Sequence, residues 1–173
     1  MDIQVFTVAR TDYLTNLCPQ QLINTTFSFS LLRAWNLENV TLYYDCPRIV
    51  SPSSGFPSQF NCSNRGTGLI NYFVVESAFQ NLSAEVKGEL STCQNNVVVP
   101  AFYTAAQSIA TNPTPDTVIL PLRNGFGLKW NEKFYSKCQA CNASGGVCGF
   151  DSIEFLCYCS DHTDSSNCLQ SGV

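Results

Sequence analysis

The sequence predicts a mostly β (α+β) fold: two small disulfide-bonded β-rich lobes with one or two short helices. Three observations carry this expectation. Short runs of β-branched and aromatic residues alternate in polarity and are separated by turn-forming residues. Ten cysteines occur, an even number, and six of them lie between Cys138 and Cys168. Of the 173 residues, 45% are hydrophobic and only 13% charged, against roughly 25% charged in an average protein; that suits a packed domain, not a disordered chain.

Residues 2–8 read as a strand, and the stretch from Asp12 to Pro19 breaks the pattern and carries Cys18. Thr26 to Leu31 alternates, with Phe27, Phe29 and Leu31 on one face. Val40 to Tyr44 alternates too, pointing Val40, Leu42 and Tyr44 inward and ending at Cys46. Residues 51–58 are a loop by composition, and Cys62 follows. Leu69 to Val75 is a strand, and Glu85 to Thr92 a weaker one interrupted by Gly88. Val97 to Tyr103 is an apolar run that Pro100, lacking an amide donor, confines to a sheet edge or a bulge. After a loop at Thr111 to Pro115, Asp116 to Asn124 reads as a short helix. Asp116 would be its N-cap and Gly125 its stop, with Pro121 as an interruption. Gly127 to Trp130 and Glu154 to Cys159 are short strands. The boundary between lobes is expected near Cys62 to Gly68.

The cysteine-rich segment is spaced C-x2-C-x6-C-x8-C-x-C-x8-C and admits three chemistries. Zinc suits Cys138-x-x-Cys141, but Cys157-x-Cys159 fits one tetrahedral site poorly. A redox Cys-x-x-Cys belongs in a βαβ context, which is not readable here. Disulfides are favoured because N-glycosylation acceptors occur at Asn24, Asn39, Asn61, Asn81 and Asn142, where about three are expected by chance, and because charge is low. Cys18, Cys46, Cys62, Cys93, Cys138, Cys141, Cys148, Cys157, Cys159 and Cys168 are then all half-cystines. Bridges within 138–168 should be local, leaving Cys93 for the upstream half; spacing alone does not fix the pairing. Met1 to Arg10 lacks the basic and apolar regions of a signal peptide, and no stretch reaches the ~20 apolar residues of a membrane span. The expectation is a truncated gene product of a secreted or membrane protein.

The net charge of −4 argues against nucleic acid, which requires a basic stripe. The single histidine, His162, sits beside Asp161 and Asp164 in a polar loop, which reads as solvated surface before it reads as a catalytic base. The 13 carboxylates are scattered, and no phosphate loop or kinase signature is present. The chain alone is therefore expected to be non-enzymatic, with no cofactor and no metal. Sugar binding is the remaining candidate. Lys129, Trp130, Lys133 and Tyr135 place cations beside aromatic rings, with Lys137 continuing the four-residue spacing. Trp35 and Tyr43 are further aromatic candidates, and Arg10, Arg33, Arg48 and Arg65 are a scattered second set of cations. The competing reading makes Trp130 a core residue and the lysines ordinary surface.

Gly125-Phe-Gly-Leu-Lys-Trp130, Cys138-x-x-Cys141, Ser144-Gly-Gly-x-Cys148-Gly149 and Phe155-x-Cys157-x-Cys159 resemble the cysteine-rich C-terminal domain of plant wall-associated receptor kinases. The branch they most resemble is the leaf-rust-resistance-locus receptor-like kinases. Upstream, Ala9 to Tyr13, Cys18-Pro19, Phe27-Ser-Phe29 and Tyr43-Tyr-Asp-Cys46-Pro47 are similar to the end of that family's galacturonan-binding domain. The resemblance divides the chain into 1–65, an incomplete galacturonan-binding-like part, and 66–173, the cysteine-rich part. It implies an extracellular or plasma-membrane location and association with cell-wall pectin or another polysaccharide, or with a protein ligand or co-receptor. It also implies a role in wall sensing or defence signalling. A membrane helix and a serine/threonine kinase usually follow in the family; neither is in this sequence, nor is the family's N-terminal cysteine-glycine segment. His162 stands where the family usually has glycine.

Overall fold

The computed structural model describes residues 5–27, 31–49, 58–63, 68–151 and 153–169. In chain order the elements are β1 (Val5–Val8), a 3-10 turn (Thr11–Tyr13), β2 (Leu32–Trp35), β3 (Leu37–Cys46), β4 (Ser58–Phe60) and β5 (Ile70–Val75). Then follow α1 (Glu76–Gln80), α2 (Ala84–Leu90), β6 (Asn95–Phe102), α3 (Tyr103–Thr111), α4 (Pro115–Asn124) and β7 (Phe126–Trp130). The last third holds α5 (Glu132–Ala143), β8 (Val147–Phe150), β9 (Phe155–Tyr158) and β10 (Thr163–Asp164). Two units form. The first takes Met1–Phe6, Phe27–Trp35 and Leu128–Val173; the second takes Thr7–Thr26 and Asn36–Gly127. Cys62 and Gly68, the expected lobe boundary, both fall inside the second unit.

The second unit is built on an antiparallel sheet of order β4-β5-β3-β6. Its inner strand β3 alternates as expected, with Val40, Leu42 and Tyr44 fully buried against Phe73, Val97, Val99, Ile109 and Leu122. The alternation breaks at the end of β3, where the pairing with β5 shifts register between Tyr43 and Cys46 and Asp45 takes a φ of 55°. Asn71 holds this bulge: its Oδ1 accepts the Asp45 amide and its Nδ2 donates to the Phe60 carbonyl. Pro100 lies on the edge strand β6, opposite Asn39, as its missing donor requires. Beside that edge, Asn24 accepts the Val98 amide and the Thr25 amide donates to the Val98 carbonyl. Tyr44 donates its hydroxyl to the Leu17 carbonyl, 2.8 Å away, and the buried Tyr13 hydroxyl lies 3.1 Å from Tyr44 Oη.

The β-dominant class is as expected, but the described residues contain five α-helices, not one or two. The segment read as a weak strand, Glu85 to Thr92, is mostly α2. Ser83 caps it by accepting the Val86 amide, and Val86 and Leu90, four apart, are buried with Leu82. The helix read at Asp116 to Asn124 is α4, but its N-cap is Thr114 with Pro115 in the first turn, where a missing amide costs nothing. Thr114 and Thr117 cap it reciprocally. Gly125 ends it at a φ of 76°, and a β-carbon there would lie 1.9 Å from the Val8 carbonyl oxygen. The strand read at residues 2–8 is β1 over its described part, and the one read at Thr26 to Leu31 falls largely on 28–30, outside the described residues. Most of the 51–58 loop lies outside them too.

Two bridges tie this unit, Cys18–Cys62 and Cys46–Cys93, and they interleave along the chain. Cys93 thus pairs upstream as expected. Glu38 is 7% exposed. Its carboxylate accepts the Ser77 amide at 2.8 Å, capping α1, and the Gln107 side chain at 2.6 Å. Glu38→Gln turns one acceptor into a donor facing a donor, so urea unfolding should show a loss of about 1–3 kcal/mol. Removing the Cys46–Cys93 bridge by a double Cys→Ser change should cost about 2–5 kcal/mol in the same measurement.

Candidate functional site

The first unit has little apolar interior to build on. Its buried cluster is Cys141, Phe155 and Cys157, flanked by Phe134 and four more half-cystines. Three local bridges supply the rest: Cys138–Cys148, Cys141–Cys157 and Cys159–Cys168. Asn131 caps α5 by accepting the Lys133 amide, and Phe134, Cys138 and Cys141 follow at helical spacing on the inner face. The sheet β10-β9-β8 covers them, pairing Cys148 with Cys157 and Phe150 with Phe155. Gly146 is required where the bridges converge, because a β-carbon there would lie within 2.8 Å of the sulfurs of Cys141, Cys157 and Cys168. Gly149 is likewise covered by the ring of Tyr158.

Strand β7 presents the predicted residues to two opposite faces, since neighbours on a strand alternate. On one face Lys129 Nζ stands 4.8 Å above the ring of Trp35, which is 45% exposed on β2. Arg33, also exposed, lies two residues from Trp35 and so on the same side of that edge strand. On the other face Trp130 stacks on Phe134, with centroids 5.4 Å apart and planes 18° from parallel. Phe6 tilts against Trp130 at 5.8 Å, and Phe150 and Phe155 meet Phe134 edge-on. Trp130, Phe134, Tyr135, Cys138 and Cys148 line a hollow of about 280 Å³.

The four predicted sugar-binding residues therefore do not form one constellation. Trp130 and Tyr135 share the hollow, Lys129 pairs with Trp35, and Lys133 is exposed on α5. Lys137 stands over Phe155 at 5.7 Å. Trp130 is half-buried, between the two readings offered for it. The grouping Arg33, Trp35 and Lys129 was missed as a unit. The signal was the alternating Arg33-x-Trp35, but its pairing with residue 129 is a matter of register. Tyr43 and Arg10 belong to the second unit. Burial pushes the Tyr43 hydroxyl above its ordinary value, and Arg10 is engaged with Asp12 at 2.6 Å and with the Tyr13 ring. Arg48 is exposed, and Arg65 lies outside the described residues. A second hollow, about 450 Å³ and lined by Asp12, Asn16, Gln20, Gln21 and Ile23 among others, offers no aromatic face.

His162 is exposed, with Nδ1 2.7 Å from Asp161, and its carbonyl accepts the Cys159 amide. It closes a disulfide loop, with no nucleophile placed against it among the described residues. The sulfurs of Cys157, Cys159 and Cys168 lie within 4.8 Å of one another, but all three are in bridges and offer no thiolate to a metal. Of the glycosylation acceptors, Asn24, Asn61, Asn81 and Asn142 are exposed; Asn39 is half-buried and donates to Glu76.

The family described as wall-associated receptor kinase C-terminal matches residues 61–162. Three Arabidopsis thaliana proteins, each a leaf rust 10 disease-resistance locus receptor-like protein kinase-like protein, are similar over most of the chain. Number 2.1 is 31% identical across 98% of this chain and 27% of its own length. For number 2.5 the figures are 32%, 91% and 25%, and for number 2.8 they are 31%, 89% and 18%. The chain thus spans about a quarter or less of the relatives it matches. No solved structure matches it. No helix among the described residues is long and apolar enough to cross a membrane.

Gly146→Ala should force the Cys141–Cys157 and Cys159–Cys168 bridges apart, and mass mapping should find scrambled or unpaired cysteines in the first unit. Asp164 accepts the amides of Asn167 and Ser166 and the Ser166 hydroxyl, which hold its carboxyl below the ordinary carboxylate range. A lowered native value stabilises the fold above the unfolded value near pH 4, and the contribution is lost as pH falls through the native one. Asp164→Ala should therefore lower Tm at about pH 6 and have much less effect at about pH 2, read by thermal melts across that range.

Proposed function

The chain belongs to the wall-associated receptor kinase C-terminal family, an extracellular region of receptor-like kinases, and from that premise we propose that it is a non-catalytic recognition module for acidic cell-wall polysaccharide. The observation that supports this reading best is the pairing of Lys129 with the exposed ring of Trp35, beside Arg33. A ring face suits the C–H surface of a pyranose, and the cations suit the carboxylate of a uronate. An edge strand leaves room for a linear chain to lie across it. In the whole receptor this contact would feed a kinase concerned with wall sensing or defence.

A second reading, a protein-interaction module, is favoured by one observation. Val147 and Tyr158 face each other across β8 and β9 and are 67% and 46% exposed, an apolar pair open to a partner. Titration calorimetry with oligogalacturonides separates the two. On the first reading Lys129→Glu should weaken binding roughly tenfold, the loss of one charge-assisted contact, and binding should fall as salt rises. Absence of binding by the disulfide-intact protein, or binding unaffected by Lys129→Glu and Trp35→Ala, would favour the second.

A further inference from the structure

The aromatic hollow is built differently from the Lys129 face. Among the described residues its lining is three aromatic side chains and two half-cystines with no cation, so it suits an uncharged ligand. At about 280 Å³ it lies at the small end of ligand pockets, the scale of a single sugar ring and not of a polymer. The acceptor Asn142 stands directly beside it. Tyr135, Cys138 and Asn142 are spaced i, i+3 and i+7 on α5, hence on one stripe of the helix. Asn142 Nδ2 is 3.8 Å from Cys138 Sγ, and its Oδ1 is 3.3 Å from Cys148 Sγ; both sulfurs line the hollow. Helix side chains lean toward the N-terminus, so a substituent on Asn142 runs back along α5 toward Tyr135 and Trp130. Tyr135 Oη accepts from Gln139 Nε2, leaving its own O–H to donate to an arriving oxygen.

We propose that Asn142 carries an N-linked glycan whose first N-acetylglucosamine packs into the Trp130–Phe134–Tyr135 hollow. This rests on the extracellular reading above but not on the pectin reading. In the modification, Asn142 Nδ2 bonds to C1 of an oligosaccharide carried on a lipid pyrophosphate. An amide N–H and the C1–O bond break, and the lipid pyrophosphate leaves with the proton. The sugar's polarised C–H face then lies on the electron-rich rings, and its hydroxyls and acetamide remain at the open rim. The chain's own carbohydrate thereby closes one aromatic face and leaves the Trp35 face for external ligands.

The test uses the full chain secreted from a glycosylating eukaryotic host in a Trp35→Phe background. Trp130 is then the only tryptophan, since the sequence has two. Acrylamide quenching is compared for the intact glycoprotein, for protein trimmed by endoglycosidase to one N-acetylglucosamine, and for Asn142→Gln. Quenching should rise roughly twofold in Asn142→Gln and stay low in the trimmed protein, because one packed ring provides the cover. Tyr135→Ala should keep the glycan yet lose most of the protection. Equal quenching with and without the glycan would overturn the proposal and leave the hollow to an external apolar group. So would an unmodified Asn142 in protein whose other acceptors carry sugar. If no acceptor is modified in secreted protein, the extracellular reading falls with it.

Discussion

Everything in the first unit depends on cross-linking a segment too small to bury a core. Among its described residues the buried cluster is just Cys141, Phe155 and Cys157, and two of these are the ends of one bridge. A chain of this size gains too little from apolar burial to offset its conformational entropy. The bridges act on the other side of that balance, by removing freedom from the unfolded chain. Once Cys141 is tied to Cys157, α5 and β9 are fixed against each other. The aromatic rings of Phe134, Phe150 and Phe155 then have a defined place to meet. The binding candidates are therefore products of the cross-links.

The second unit follows the opposite logic. Its β3 buries one whole face, and its two bridges reinforce a sheet that already has an interior. Polar devices there are local and satisfied: Asn71 at the bulge, Glu38 at the start of α1, and Tyr44 against Leu17. Each fixes a place where the backbone would otherwise leave a donor or acceptor unmatched.

The sequence was most informative where one face of an element is apolar and the other polar. Val40, Leu42 and Tyr44 could be placed inward, and Pro100 put on an edge, from pattern and missing donors alone. It was least informative where cysteine or alanine fills the buried side. The inner face of α5 is Phe134, Cys138 and Cys141, which reads as a disulfide cluster before it reads as a helix. The buried face of α3 is Ala106 and Ile109, hidden behind the apolar run that precedes it. In α2 the pair Val86 and Leu90 was outweighed by Gly88 and the polar residues around it. The candidate site was legible as a set of residue types and not as a place. Which face of β7 Lys129 takes follows from alternation, but that Trp35 lies under it depends on pairing strands nearly a hundred positions apart.

The interleaving of Cys18–Cys62 with Cys46–Cys93 has a consequence for cleavage of the chain. A single cut at any peptide bond between Cys18 and Cys93 leaves at least one bridge spanning the break, so the fragments stay covalently joined. The cysteine-rich end lacks this property at one place. No bridge spans Tyr158, so the ring closed by Cys159 and Cys168 hangs from the rest by backbone alone. A protease reaching the exposed Tyr158 would cut its one covalent link to the rest, whereas one nicking the chain between Cys18 and Cys93 would leave the molecule in one piece until a reductant arrived.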